Sequence, residues 1–227
     1  EAGLHVVIEK PATLKLSDAE FLVNLSRKRN LCFAETTVWP FHPNIDFVKN
    51  NLILFQDIPI VVNATFTVPA FKNDNFRNFP EFGGGAFNDM SAYAVSIGRV
   101  LFNEKPYTIS GKLISFDEAS GVDMGFSVKM EFGKGKKLQG IFGFGLDYKN
   151  ILEISGADFL FELNRVFSPP SDIEVCIKTK KDGCFEDQFF KGDSYANFFH
   201  LILTTYKTKE RSKWSELILQ DANLTNR

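Results

Sequence analysis

The sequence is poor in the residues that usually staple a small fold or hold a metal. It has three cysteines, three histidines, three methionines and two tryptophans in 227 residues. Cys32, Cys176 and Cys184 form an odd set without metal-ligand spacing, and the last two flank a turn signal, KKDG at 180–183. Neither a disulfide framework nor a metal site is expected, and a reducing, cytoplasmic setting is. No apolar run approaches the roughly 20 residues that a membrane span needs, so a soluble protein without a membrane partner is expected. Neither charge is in surplus: 26 Lys and Arg stand against 28 Asp and Glu, a net charge of -2, with no long basic run. The electrostatic footprint of a nucleic-acid partner is therefore missing.

Phenylalanine is plentiful instead, with 25 copies, many in alternating stretches such as GIFGFGLDY at 140–148 and GADFLFELN at 156–164. Alternation of this kind puts rings on one buried face of a sheet. The hydrophobic content of 44% over this length suits one large domain, or one domain with a piece of a second.

The first forty residues predict a β-α-β unit. GLHVVIEKP reads as a buried parallel strand reaching its carboxyl end, and LCFAETTVW as a second one. Between them a helix is predicted with Ser17 as N-cap, Glu20 completing a capping box, and Phe21, Leu22 and Leu25 on its apolar face. A short helix at HPNIDFVKNNL and a strand at PIVVNATFTVP follow, then a loop over 70–82 and a helix from 86 to 102. From Tyr107 to about Asp187, alternating strands with short joins predict a largely antiparallel sheet, with 150–164 read as one strand. Two helices close the chain, with Asp193 and Ser212 as predicted caps.

Several stretches, in this order, carry a resemblance: EKP at 9–11, WPFHP at 39–43, FGGGAFNDMSAYAVSIGRVLF at 82–102 and LEISGADFLFELNRVFSPP at 152–170. Together they resemble the Gfo/Idh/MocA family of NAD(P)-dependent oxidoreductases, in its glucose-fructose oxidoreductase-like branches that carry tyrosine where others place histidine. The resemblance implies an α+β fold: a large, mostly antiparallel open sheet with helices on one face, plus a residual β-α-β piece of a Rossmann domain. Residues 1–40 would be that remnant, and 41–227 the substrate-binding and oligomerisation domain. No G-x-G-x-x-G follows a strand anywhere, so the chain is expected to lack most of the dinucleotide half and its pyrophosphate seat. The implied activity is hydride transfer, with NAD or NADP, at a hydroxyl or ketone of a sugar or sugar-nucleotide. By itself this chain could hold no cofactor. The alternative is a truncated, non-catalytic homologue that acts as an oligomerisation or binding module, a homo-oligomer formed through the open sheet.

The resemblance also assigns residues. Lys10, Tyr93 and Asp89 are the implied catalytic set, Glu9, Lys10 and Pro11 the cofactor contacts, and Asp89, Tyr93 and His42 the substrate contacts. Spacing supports part of this, because positions 89 and 93 share one helical face, about 5–6 Å apart at Cβ. A phenol with an ordinary pKa near 10 is a poor base at neutral pH, so Lys10 is expected to lower it. The plainer reading makes Tyr93 a core ring, Asp89 a surface acid and His42 a structural cap. Glu35, near a buried strand end, is expected to hold Lys10 or the adjacent loop. The glycines at 83–85 are expected to let backbone crowd the pocket wall. Pro40 stands where the family usually has arginine, which removes a possible contact to an anionic substrate. RVFSPP at 165–170 matches a family loop near the pocket, and is equally ordinary turn chemistry.

Overall fold

The structure, a computed structural model, describes residues 2–55, 57–181 and 183–227. Asp182, within the predicted KKDG turn, lies outside the described residues. Strand β1 (Val6–Ile8), helix α1 (Leu16–Lys28) and strand β2 (Phe33–Glu35) form the expected β-α-β unit, with β1 and β2 parallel. Helix α2 (Pro43–Leu52) and strand β3 (Val61–Val68) lead through a loop to helix α3 (Ala86–Phe102). Seven further strands follow: β4 (Thr108–Asp117), β5 (Val122–Glu131), β6 (Lys137–Phe144), β7 (Lys149–Ser155), β8 (Phe159–Asn164), β9 (Val175–Lys181) and β10 (Cys184–Phe190). Helices α4 (Ser194–Thr205) and α5 (Arg211–Thr225) complete the chain.

The eight strands from β3 onward make one sheet in the order β10-β9-β8-β7-β3-β6-β5-β4, antiparallel except where β3 lies parallel to β6. Alternation explains why it is covered on one side only. Along β7, Asn150, Leu152 and Ile154 are buried while Lys149 is exposed and Ile151, Glu153 and Ser155 are half-buried. Helix α3 lies over β5 and β6, and the core beneath it includes the fully buried Trp39, Phe132, Phe142 and Phe167. The other face carries a polar row across six strands, Lys129, Gln139, Asn63, Glu153, Glu162 and Lys178, with Asn63 donating to Glu153 and accepting from Gln139. Among the described residues no helix is long and apolar enough to cross a membrane. The three cysteines are free thiols.

Several local expectations are corrected. Helix α1 starts at Leu16 with Lys15 as N-cap, so Ser17 sits inside the first turn and forms no capping box with Glu20. Its buried positions are Ala19, Val23 and Ser26, because α1 packs closely on α5 and small side chains face that contact; Phe21 and Leu25 are exposed. Strand β1 is exposed rather than buried, being paired on one edge only, with β2. The stretch 150–164 breaks at Gly156 into the hairpin β7-β8, closed by Gly156 N–H donating to the Phe159 carbonyl. Beyond the predicted strands, β10 extends to Phe190. Asp193 caps α4 by accepting from Ala196 N–H at 3.0 Å, as predicted, whereas α5 starts at Arg211 and Ser212 lies within it.

The seat of α3 on the sheet depends on Gly98. A Cβ there would lie 2.2 Å from Cζ of Phe132, a ring with no room to retreat. Alanine gains up to about 1 kcal/mol of helix propensity over glycine, but overpacking a filled core costs about 1–3 kcal/mol. Gly98→Ala is expected to lower stability in a denaturant melt, and a more stable variant would contradict this account of the packing.

Candidate active site

The site is built from the tip of β1, the loop before α3 and the first turns of α3. The Lys10–Pro11 peptide is cis, and Lys10 leaves the β1 tip toward α3. Its ammonium donates to Asp89 Oδ1 at 2.8 Å and also to the Asp89 backbone carbonyl. From the other side Arg77 grips the same carboxylate, Nε to Oδ2 at 2.9 Å and a terminal nitrogen to Oδ1 at 3.2 Å. Two cations thus share one carboxylate. Burial opposes ionisation of Asp89, but Arg77 and Lys10 outweigh it and hold its carboxyl below the ordinary range. Its place in the first turn of α3 adds the favourable field of the helix N-terminus.

The glycines explain how Arg77 gets there. A Cβ at Gly84 would stand 2.6 Å from the Arg77 carbonyl oxygen and 2.7 Å from that of Phe79. Gly84 N–H donates to Phe79 O and Gly85 N–H to Arg77 O, both at 3.0 Å. Gly83 and Gly85 take left-handed φ of 75° and 104°. The close approach that glycine permits is therefore to the loop carrying Arg77, not to a pocket wall as the sequence suggested. Arg77 is further fixed over the rings of Phe71 and Phe76, 4.9 and 4.5 Å from their centroids.

One helical turn beyond Asp89, Tyr93 packs its ring against Phe66 and Phe167, with centroids 5.3 and 5.6 Å away. The Lys10 ammonium stands 4.8 Å from the Tyr93 centroid. Ser96 Oγ donates to the Tyr93 carbonyl and accepts from the Trp39 indole, which ties this turn of α3 to the segment after β2. The expected lowering of the Tyr93 pKa is not found. Burial, then the Asp89 carboxylate, pushes its hydroxyl well above the ordinary phenol value. The Lys10 charge is already matched by Asp89, so Tyr93 is a protonated acid at neutral pH rather than a ready base.

Lys10 and Tyr93 face a common hollow of about 300 Å³, walled also by Glu9, Thr36, Phe167 and Tyr195. Pro11 does not reach it; it borders a separate hollow between the 11–16 segment, α3 and α5. His42 is fully buried away from both, caps α2 by accepting from Asn44 N–H at 3.4 Å, and is kept below its ordinary pKa by burial. Its proposed substrate contact gives way to the structural reading. Glu35 holds the loop, not Lys10: Ala12 N–H donates to it at 2.7 Å and the Thr37 hydroxyl also donates. Burial pushes the Glu35 carboxyl up despite those two donors. Sequence reasoning missed Arg77, Thr36, Ser194 and Tyr195. Arg77 left one signal, as the only arginine in the loop over 70–82.

The fold and this constellation define a class. Residues 59–159 match the GFO/IDH/MocA C-terminal domain, so the chain carries a domain of that family. It is 30% identical over 189 residues to dTDP-3,4-didehydro-2,6-dideoxy-alpha-D-glucose 3-reductase of Saccharopolyspora spinosa, covering 82% of this chain and 56% of that protein. A second relative, D-xylose 1-dehydrogenase (NADP(+)) 2 of Haloferax volcanii, is 25% identical over 92% of this chain and 65% of its own length. The fold also matches that of a 3-ketoreductase from Actinomadura kijaniata, solved in complex with NADP and TDP-benzene, with TM-score 0.83 and 24% identity over 98% of this chain and 69% of that one. The chain spans just over half the length of the first of these relatives.

The depressed Asp89 carboxyl has a pH signature. Its pKa is lower folded than unfolded, so its contribution to stability is present above about pH 4 and is lost as pH falls through the folded value. Asp89→Asn is expected to cost about 2 kcal/mol or more at pH 7 and to flatten the fall of Tm below about pH 4. Parallel Tm–pH curves for the two proteins would show that Asp89 is not held by Lys10 and Arg77.

Proposed function

We propose that this chain is the substrate side of an NAD(P)-dependent oxidoreductase acting at a hydroxyl or ketone of a sugar or sugar-nucleotide. The observation that carries the reading is the convergence of the Lys10 ammonium and the Tyr93 phenol on one hollow at the tip of a parallel strand pair, where open α/β sheets bind ligands. On this reading residues 1–40 belong to the nucleotide-binding side and 41–227 to the substrate domain. Glu9 and Lys10, at the strand tip, suit the nicotinamide end of NAD or NADP, which when bound supplies or accepts the hydride. Pro11 borders a different hollow, so its contact would be to the segment that shapes the tip.

The chain's own groups handle the proton. In the reducing direction a ketone carbon gains hydride while its oxygen takes the proton from the Tyr93 hydroxyl, leaving a hydroxyl product and a phenolate. Burial keeps the phenol protonated beforehand, which suits it to donate, and among the nearby charges Arg77 favours the phenolate once formed. Solvent then returns the proton. Oxidation runs these steps backwards. Asp89 does not line the hollow; it positions Lys10, and with Arg77 it fixes the distance between ammonium and phenol.

A second reading rests on the uncovered sheet face, where Val61 and Ile141 are exposed beside the polar row. That face suits self-association, which would let the chain serve as a binding or assembly module. Sedimentation of the 227-residue chain checks it: a dimer is expected, and a monomer at high micromolar concentration argues against it.

For the enzymatic reading, Tyr93→Phe in the polypeptide encoded by the complete open reading frame is expected to cut NAD(P)-dependent turnover by about 10²–10⁴-fold with Tm nearly unchanged. Turnover equal to that of the parent protein would remove Tyr93 from the proton transfer.

A further inference from the structure

The hollow between the 11–16 segment, α3 and α5, of about 280 Å³, has no part in the chemistry proposed above. Two acids stand in its wall, Glu35 at the end of β2 and Asp221 on α5. The cation that meets them is Arg99, which grips Asp221 through Nε at 3.1 Å and through a terminal nitrogen. One guanidinium thus stands against two carboxyls largely withdrawn from water. Burial pushes both carboxyls up, and the Asp221 charge adds to the rise at Glu35. Lys15 borders the hollow but is exposed, and it is not among the charges that act on either acid. Each Glu35 oxygen accepts one hydrogen bond, from Ala12 N–H or from the Thr37 hydroxyl, which leaves about half of the carboxylate's acceptor capacity open.

A separate observation marks the same place. Ser91 of α3 is 3% exposed, and its hydroxyl makes no hydrogen bond among the described residues. The little surface that Ser91 keeps faces this hollow and an adjoining groove. Buried hydroxyls are nearly always paired, so one left open toward a cavity is suited to pair with something held there. The groove, of about 400 Å³, shares Phe87, Ser91 and Thr225 with the hollow and runs on between α3 and strands β4 and β5. Val95, Ile109, Phe126, Val128 and Leu224 make its wall largely apolar. Lys112 and Arg227 border it, and the acid in its wall, Asp123, is engaged with the Phe87 amide. A positive group is therefore favoured at the Glu35 end and a hydrocarbon chain along the groove.

We infer that the hollow and its groove form a second ligand site, in which Glu35 and Ser91 Oγ hold the ammonium head of a small organic cation and the groove takes its alkyl chain. The head supplies the positive charge that Glu35, Asp221 and Arg99 together lack. No residue of this site lines the Lys10–Tyr93 hollow, so the inference stands apart from the oxidoreductase reading.

The test uses the 227-residue chain with n-hexylammonium, 1-hexanol, hexanoate and n-propylammonium as probes, binding followed by NMR titration and folding by thermal melts. Hexylammonium is expected to bind about tenfold or more tightly than hexanol or hexanoate, as a charge-assisted contact requires. Each methylene between propyl and hexyl is expected to add about 2- to 4-fold. Ser91→Ala is expected to weaken hexylammonium binding by about 2- to 10-fold without lowering Tm, and Glu35→Gln to weaken it by about tenfold or more. If Glu35→Gln fails to fold, the comparison of hexylammonium with hexanol on the unaltered chain tests the charge requirement in its place. The inference is overturned by an absence of hexylammonium binding, by equal affinity for hexanol, by unchanged affinity in Ser91→Ala, or by shifts that map to the Lys10–Tyr93 hollow instead of α3 and α5.

Discussion

One carboxylate between two cations organises this molecule's candidate chemistry. Asp89 binds the Lys10 ammonium from the strand tip and the Arg77 guanidinium from the preceding loop, and these contacts join segments far apart in sequence. Their side chains are largely but not fully buried, with 11%, 15% and 25% exposure for Lys10, Asp89 and Arg77. At such depth an unpaired charge is expensive, so each member holds the others in place. The ammonium is thereby fixed over the Tyr93 ring, and that separation is set by the fold rather than by side-chain chance.

The scaffold serves this arrangement at several levels. The one-sided sheet gives α3 a flat support, and Gly98 lets the helix settle onto Phe132. Gly84 allows the Arg77 loop to lie against the start of the same helix, and the Phe87 amide is capped by Asp123 of β5 at 2.6 Å. Behind the site, Arg99 of α3 pairs with the buried Asp221 of α5, and α5 packs in turn on α1 and β2. Helix α3, which carries Asp89, and β2, which pairs with the strand leading to Lys10, are therefore braced from behind as well as joined in front.

Much of this was legible from residue pattern. Periodicity located α2, α3 and most strands, because their burial alternates with the regularity that apolar side chains impose. The Lys10–Asp89–Tyr93 set followed from the resemblance and from the four-residue spacing on one helix. Failures cluster where long-range packing decides. Ser17 and Ser212 carry good cap chemistry, yet α1 starts at Leu16 and α5 at Arg211, so both serines lie inside the first turn. Phe21 looked like core, but the face of α1 met by α5 is lined by Ala19 and Val23. The Tyr93 shift was misjudged for a similar reason. Lys10 alone would lower it, and only the fold reveals that Asp89 claims the ammonium first.

The protonation state of Tyr93 is where these relations meet. With ¹³C-labelled tyrosine, an NMR titration of the chain compares Tyr93 with a blocked tyrosine peptide in the same buffer, whose phenol ionises near pH 10. Tyr93 is predicted to stay protonated after the peptide has ionised. A Tyr93 that ionises before the peptide would contradict the account, because the Lys10 charge would then be free to act on the phenol instead of being held by Asp89.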